Sequence, residues 1–398
     1  MQSGMRIGAL AVLLSTGCGP APAPLTAGVA VGAGIVNPAE TTAIRARSTG
    51  SSPGDARQRQ TDSVVLAAWS RDVRLALRAQ ARLLAGRADG RSQLAAAWLL
   101  QMARNHDEGQ DNARTEDDAA LAALLVRAGE LAPDDALVAW LELAGCPTPQ
   151  PTCRPEHALG RLQRLEAENS ATWLAALEDA VEGGDQDAID RTLDLAGRAS
   201  HYDSYWGEAG YFLDATLAGA PLPPRSAAVL AAQRRQAGGA AAPSDTDERS
   251  IMAMGMASAV GMPGLAPLMR NCRPDRIALT PSRRSSCLAV AVRLAGSDTL
   301  LGRRIGLGLA VRLAADAPVG AAWRERLRRF LWLEEQVRGV GYQSLSGYAQ
   351  SVWRLGEVAA LQAWATSVGR PLTPPPGWLP RNREDRALVT TGRPPPGG

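Results

Sequence analysis

The chain contains no lysine, and all 43 of its basic residues are arginine. A GC-rich coding bias, which favours Arg, Ala, Gly and Pro, accounts for this absence. It still excludes chemistry: there is no phosphate-loop lysine, no Ser-x-x-Lys nucleophile pair and no lysine Schiff base. Charge of one sign is not in excess either. Against 40 acidic residues the formal net charge is only +3, which argues against a nucleic-acid binder with a basic face. Long apolar runs are missing. The stretch Ile7 to Leu14 falls well short of the roughly 20 residues that a bilayer-spanning helix needs. Phenylalanine occurs only twice and β-branched runs are few, so strands have little to be built from. The one strand-like stretch, "VAVGAGIV" from Val29, lies in Gly/Ala/Pro-rich surroundings and reads as irregular.

What is present is alanine and leucine, which lose little side-chain entropy in helices. The expected fold class is all-α. A length of 398 residues with 45% hydrophobic content allows a sizeable core in two or three units or one long repeat array. The N-terminus, Met1 to Leu14, has a short n-region with one positive charge and then an apolar h-region, the shape of an export signal. Residues 19–60 are rich in Pro, Ala, Gly, Ser and Thr without helical period and read as a disordered tether.

Leu14-Ser15-Thr16-Gly17-Cys18 resembles the lipobox of bacterial lipoproteins. Gly17 matches the small residue before the cut, whereas Ser15 stands where leucine is usual. The resemblance implies lipid attachment at Cys18, a signal peptide over 1–17, and an outer-membrane lipoprotein facing the periplasm, because Gly19 is not the inner-membrane Asp. A soluble periplasmic protein, cut after Ala23, Ala27 or Ala33, is the alternative.

Five cysteines is an odd number. With Cys18 lipidated, four remain in two local pairs. Cys146 with Cys153 and Cys272 with Cys287 are the simplest disulfides, and they fit an oxidising compartment. Free thiols are the alternative. Neither pair has Cys-x-x-Cys spacing, so no zinc site is expected.

From residue 61 the pattern is helix after helix. Trp140, Trp173 and Trp206 recur every 33 residues, each near a helix start with a capping Asp or Asn upstream. "RAGELAPDDALVAWLELA", from Arg127, resembles the tetratricopeptide repeat, a 34-residue helix-turn-helix with an early Trp and a late Pro. The resemblance covers about 118–217 and implies helical hairpins stacked as a solenoid. The expected organisation is signal peptide 1–17, tether 18–60, tetratricopeptide-like repeats 61–218, linker 219–247, C-terminal helical region 248–369 and disordered tail 370–398. Within the C-terminal region a single helix is expected over 346–368.

Candidate chemistry is sparse. His106, His157 and His201 belong to no His-Glu-x-x-His motif, and His106 sits in a polar loop. Asp185-Gln186-Asp187 lacks the glycine of a calcium loop and reads as a helix cap. "GYQSLSGY" from Gly341 lacks the Gly-x-Ser-x-Gly elbow. Gly302, Gly306 and Gly308 follow no strand, so close helix packing explains them better than a dinucleotide fingerprint. "WRERLRRFLWLEEQVRG" from Trp323 is a basic amphipathic helix, readable as a solvated face over a core stripe or as a membrane-surface helix. Tyr202, Tyr205, Trp206, Tyr211 and Phe212 are the candidate partner groove, with a buried aromatic core as the competing reading. No cofactor or metal is expected. The leading function is a non-enzymatic envelope lipoprotein that binds another protein or peptide, without nucleic acid, on a helical-repeat surface. A cell-envelope hydrolase using carboxylates such as Glu156, Glu178 and Asp179 is the alternative.

Overall fold

The computed structural model describes residues 53–104, 111–146, 152–236, 239, 242, 244–260, 262, 264–275, 277–337 and 347–395, the side chains of 53, 111–116 and 259 excepted. Among the described residues there are seventeen helices and no strand; the one isolated bridge joins Asn169 to His201. No described helix is long and apolar enough to cross a membrane. Cys18, the signal peptide, His106 and Gly341 to Ser346 lie outside the described residues.

The first group is α1 (Pro53–Ala85), α2 (Gly90–Arg104), α3 (Asp111–Leu131), α4 (Ala136–Gly145) and α5 (Pro155–Leu165). α1 packs on α2, α2 on α3, and α4 on α5. In α2 the residues Leu94 to Leu100 are buried without interruption. A helix apolar all round belongs at the centre of a layer. Its alanines, Ala95 to Ala97, let neighbours approach closely. The sequence ends the tether at Gln60, but α1 begins at Pro53. Proline is well placed in a first helical turn, and Asp62 further along is held by Arg235 at 2.7 Å.

α6 (Ser170–Glu182) packs on α7 (Gln186–Arg198), and α7 packs on α12 (Pro281–Leu294). Asp185 caps α7 by accepting from the amides of Asp187 and Ala188, as its position suggests. α8 (Trp206–Ala218) does not pair with the next helix in sequence, α9 (Ala227–Gln236). It packs on α10 (Asp245–Ala259), whereas α9 packs back on α1. The expected linker 219–247, whose sequence allows one short helix between Pro/Gly clusters, contains α9, with Val229 and Ala232 buried beside Leu66 of α1.

α11 (Leu265–Asn271), α12, α13 (Leu300–Leu313), α14 (Gly320–Val337), α15 (Tyr348–Leu355), α16 (Glu357–Ser367) and α17 (Arg383–Thr391) complete the fold. α13 belongs to two cores. Leu309 and Leu313 pack with Leu193 and Leu294, while Leu307 and Val311 pack with Phe330, Leu331 and Leu361. Gly306 permits this, because a Cβ there would lie 2.2 Å from the Ala295 amide. Gly302 is equally confined, by Ser297 Oγ at 2.6 Å, but Gly308 meets nothing close.

Two further expectations are corrected here. The single helix over 346–368 is two, α15 and α16. Gly356 breaks it at φ +79°, where a Cβ would meet Asp298 Cβ at 2.6 Å. The expected disordered tail contains α17, capped by Asn382 and ended by Gly392 at φ +76°. Its Leu388 and Val389 are buried, Asp385 receives Arg304 at 2.9 Å and Glu384 receives Arg312 at 2.6 Å.

Candidate functional site

The five aromatic residues near the start of α8 do not share a surface. Tyr205 and Trp206 are buried in the core. Tyr205 meets Trp140 with ring centroids 5.5 Å apart, and Trp206 meets Trp353 at 5.2 Å. Tyr202 is half-buried, and burial pushes its hydroxyl pKa up. Phe212 lies under the Arg91 guanidinium at 5.9 Å, and only Tyr211 is exposed. Tyr205 and Trp206 thus belong to a buried aromatic core, the competing reading at these positions, while Tyr202 and Phe212 are half-buried. The physical reason is Tyr205 itself. It sits at φ +54°, held there by its amide donating to Asp203 Oδ1 at 2.7 Å, and that geometry turns α8 inward.

A buried polar joint supports this turn. Asn169, fully buried, caps α6 by accepting from Ala171 N. Its Oδ1 also accepts from Asp203 N at 2.9 Å, and its Nδ2 donates to Asp203 O at 2.9 Å. Of the three tryptophans, Trp140 and Trp206 are buried and Trp173 is half-buried, its Nε1 donating to Ala167 O.

The cysteines lie at disulfide distance in both local pairs. Cys146 and Cys153 join the end of α4 to the approach of α5, and Cys272 and Cys287 join the end of α11 to α12. Cys272 and Cys287 are fully buried.

A surface cleft of about 260 Å³ opens between α13, α14 and α16, with Leu372 and Thr373 as its far lip. Each helix contributes from one face. On α13 these are Arg303 and Leu307, four residues apart; on α16 they are Val358 and Gln362, four apart. On α14, Arg326, Arg329, Phe330 and Leu333 follow the i, i+3, i+4, i+7 pattern. The result is an apolar floor with a cationic rim. The lip is held by a strap along α14. Trp332 Nε1 donates to Pro371 O at 2.7 Å, Arg370 donates to Gln336 O, and Trp378 packs edge-on against Trp332 at 5.1 Å.

The three rim arginines differ. Arg329 is engaged by Glu325 at 2.8 Å, together with Arg328; these two guanidiniums hold the Glu325 carboxyl down at about 2. Arg303 is half-buried and fixed by backbone oxygens, donating Nε to Ser297 O at 2.8 Å and Nη2 to Gly296 O at 3.4 Å. Burial lowers its pKa; the Asp298 charge opposes this and the Arg326 charge adds to it. Arg326 stacks over the Trp323 ring at 4.4 Å and forms no ion pair among the described residues.

The carboxylates of the hydrolase alternative lie elsewhere, Glu156 on α5 and Glu178 and Asp179 on α6. Burial pushes Glu178 up, against a backbone bond from Gly264, and burial with the Glu182 and Glu156 charges pushes Asp179 up. None of them lines the cleft. His157 and His201 are exposed. Among the described residues, no three His, Cys, Asp or Glu side chains are grouped to hold a metal ion.

The rim arginines escape a reading of the sequence. "GRRIGLGLA" and "WRERLRRFLWLEEQ" show arginines on polar faces, but nothing in either stretch tells a paired guanidinium from an unpaired one. No protein-family model matches the chain, and neither a curated protein nor a solved structure matches it.

Proposed function

We propose that the protein is a non-enzymatic scaffold of the cell envelope that binds a segment of another protein or a peptide in the cleft between α13, α14 and α16. The cleft carries this reading. It combines an apolar floor with polar groups from three helices, the mixture that binding pockets use to gain affinity and orientation together. Its volume of about 260 Å³ lies below the roughly 300–1,000 Å³ of sites that enclose whole small molecules. One or two side chains of a longer ligand fill it better than a cofactor does.

The cysteines support the location. Two local pairs at disulfide distance suit an oxidising compartment, and the lipobox-like segment ending in Cys18 supplies an anchor in the outer membrane. Residues 118–217 are then a degenerate tetratricopeptide-like stretch, in which the Asn169–Asp203 joint links positions 34 residues apart, one repeat length. α8 leaves that series by packing on α10.

The test is a photo-crosslinker in place of exposed Gln362, with the same group at exposed Glu182 as control, in intact cells. The expected result is a protein adduct at 362 that is missing at 182. Identical adduct patterns at both positions overturn the cleft as the binding surface. Separately, Cys18→Ser is expected to move the protein from the membrane to the soluble fraction. An unchanged distribution removes the lipid anchor and leaves the binding role intact.

A further inference from the structure

Two guanidiniums at the cleft mouth are held in place without an ion pair among the described residues. Arg303 is locked by two backbone oxygens, Ser297 O and Gly296 O. Neither bond neutralises it, because carbonyls accept without charge, and the nearby Asp298 charge acts on it without forming an ion pair. Arg326 lies flat on Trp323 at 4.4 Å, a cation–π contact that orients it and costs it freedom, and no carboxylate pairs with it among the described residues. Their neighbours behave differently. Arg304, Arg312, Arg328 and Arg329 all have carboxylate partners. The like charges of Arg303 and Arg326 repel, Asp298 offsets the Arg303 charge in part, and unpaired Arg326 leaves the mouth cationic over an apolar floor of Leu307, Phe330, Leu333 and Val358. An anion placed there relieves the repulsion and gains charge-assisted hydrogen bonds.

Apolar floor and cationic mouth both lie within one cavity of about 260 Å³. A ligand must therefore present an apolar group and an anion within a single residue's reach. An internal Asp or Glu puts its carboxylate at the end of its own side chain and leaves the floor empty. A C-terminal residue carries an apolar side chain and a carboxylate on the same Cα. Resting on the binding role proposed above, we infer that the cleft captures the C-terminal residue of a peptide: its carboxylate between Arg303 and Arg326, its apolar side chain on Leu307, Phe330, Leu333 and Val358. Thr373 and exposed Gln362 supply polar atoms for the preceding peptide unit.

The probes are N-acetylated peptides of Gly, Ser and Ala ending in leucine, prepared as the free acid and as the amide, with an amidated version carrying an internal Asp. Binding is read by titration calorimetry on the full chain. The free acid is expected to bind, with the amide at least about tenfold weaker, the scale set by losing a charge-assisted bond. Arg326→Gln is expected to narrow the gap between acid and amide severalfold, with Arg303 still in place, while leaving the thermal midpoint unchanged. Arg326 is exposed, so this variant tests recognition and not folding. Replacing the terminal leucine by glycine is expected to weaken the acid by a similar factor. Equal binding of acid and amide overturns the inference, as does an internal-Asp peptide that binds as well as the acid. If no peptide binds while the Gln362 crosslinker still captures a partner, the C-terminal inference falls and the scaffold role stands. If the crosslinker also captures nothing, both fall.

Discussion

α2 and α14 are both Leu- and Arg-containing helices, and they do opposite things. α2 is buried on every side from Leu94 to Leu100, and it holds α1 and α3 by apolar contact alone along that stretch. α14 buries Leu327, Phe330, Leu331 and Leu333 and turns its arginines outward or onto carboxylates. The groups around them differ in how their ion pairs are built. The first group is tied by Arg78 to Asp117, Arg104 to Asp118 and Arg161 to Glu142, and burial pushes the Glu142 carboxyl up against the pull of the Arg161 charge. The last group is tied by Arg304 to Glu334 and Asp385, and by Arg312 to Glu384 and Asp275. Apolar packing supplies most of the stability in such a molecule. Buried ion pairs contribute little net energy but penalise wrong arrangements. The last group, in which Arg304 and Arg312 each bridge two carboxylates, is the one that holds the cleft.

The comparison is sharpest at its apolar end. Leu99→Ala removes a fully buried side chain from the centre of α2 and is expected to cost about 3–5 kcal/mol. Arg326→Gln should stay within about 0.5 kcal/mol. Urea denaturation of both variants measures this; a Leu99→Ala loss below about 1 kcal/mol would show that α2 is not the centre of its layer. Next in size is Cys272→Ser with Cys287→Ser. Its 15-residue separation corresponds to about 3 kcal/mol in the chain-entropy model, whereas the separation of 7 for Cys146 and Cys153 corresponds to about 2.4 kcal/mol. Reversing that order in thermal melts would mean that burial of the sulfurs, not loop length, decides. Asn169→Ala is expected to cost about 2–3 kcal/mol, from a lost cap and two orphaned backbone groups at Asp203. Asn169→Asp keeps the acceptor but loses the Nδ2–H donor, and it should recover part of the loss.

Legibility in the sequence followed the same division. The apolar layer was readable: Leu66, Val73 and Leu77 on α1, then Leu121, Leu125 and Ala128 on α3, have helical spacing and are all buried. Local caps were readable where the side chain serves its own helix, as at Asp185 and Asn169. The cysteine pairs were readable because they are near in sequence. What failed depends on partners distant along the chain. α17 carries few apolar residues, and its acids gain meaning only beside Arg304 and Arg312 on α13. Gly356 breaks a helix because Asp298, from another loop, occupies the space its side chain would need. The aromatic cluster at α8 admits both a groove and a buried core until Trp140 and Trp353 are brought against it. The cleft combines three helices whose wheels look ordinary one at a time.

The smallest expected effect lies at the joint between the cleft layer and the rest. Glu357 opens α16 beneath Val358 and accepts the Leu300 amide at 2.7 Å, capping α13 from another helix. Burial pushes its carboxyl from 4.5 up to about 7, with the Asp298 and Glu334 charges adding, while the Leu300 bond opposes. The native chain therefore keeps a proton in a range where the unfolded chain has lost it. Between about 4.5 and about 7 the unfolded state binds fewer protons, so stability falls as pH rises and levels off above that window. Glu357→Gln stays neutral and keeps an oxygen for the Leu300 amide. It is expected to match the wild type near pH 5 and to exceed it by about 1–2 kcal/mol near pH 8. Paired urea titrations at the two pH values measure the difference. Parallel curves for the two proteins would show that Glu357 is ionised throughout, and that the α13–α16 joint tolerates its charge as readily as an exposed surface does.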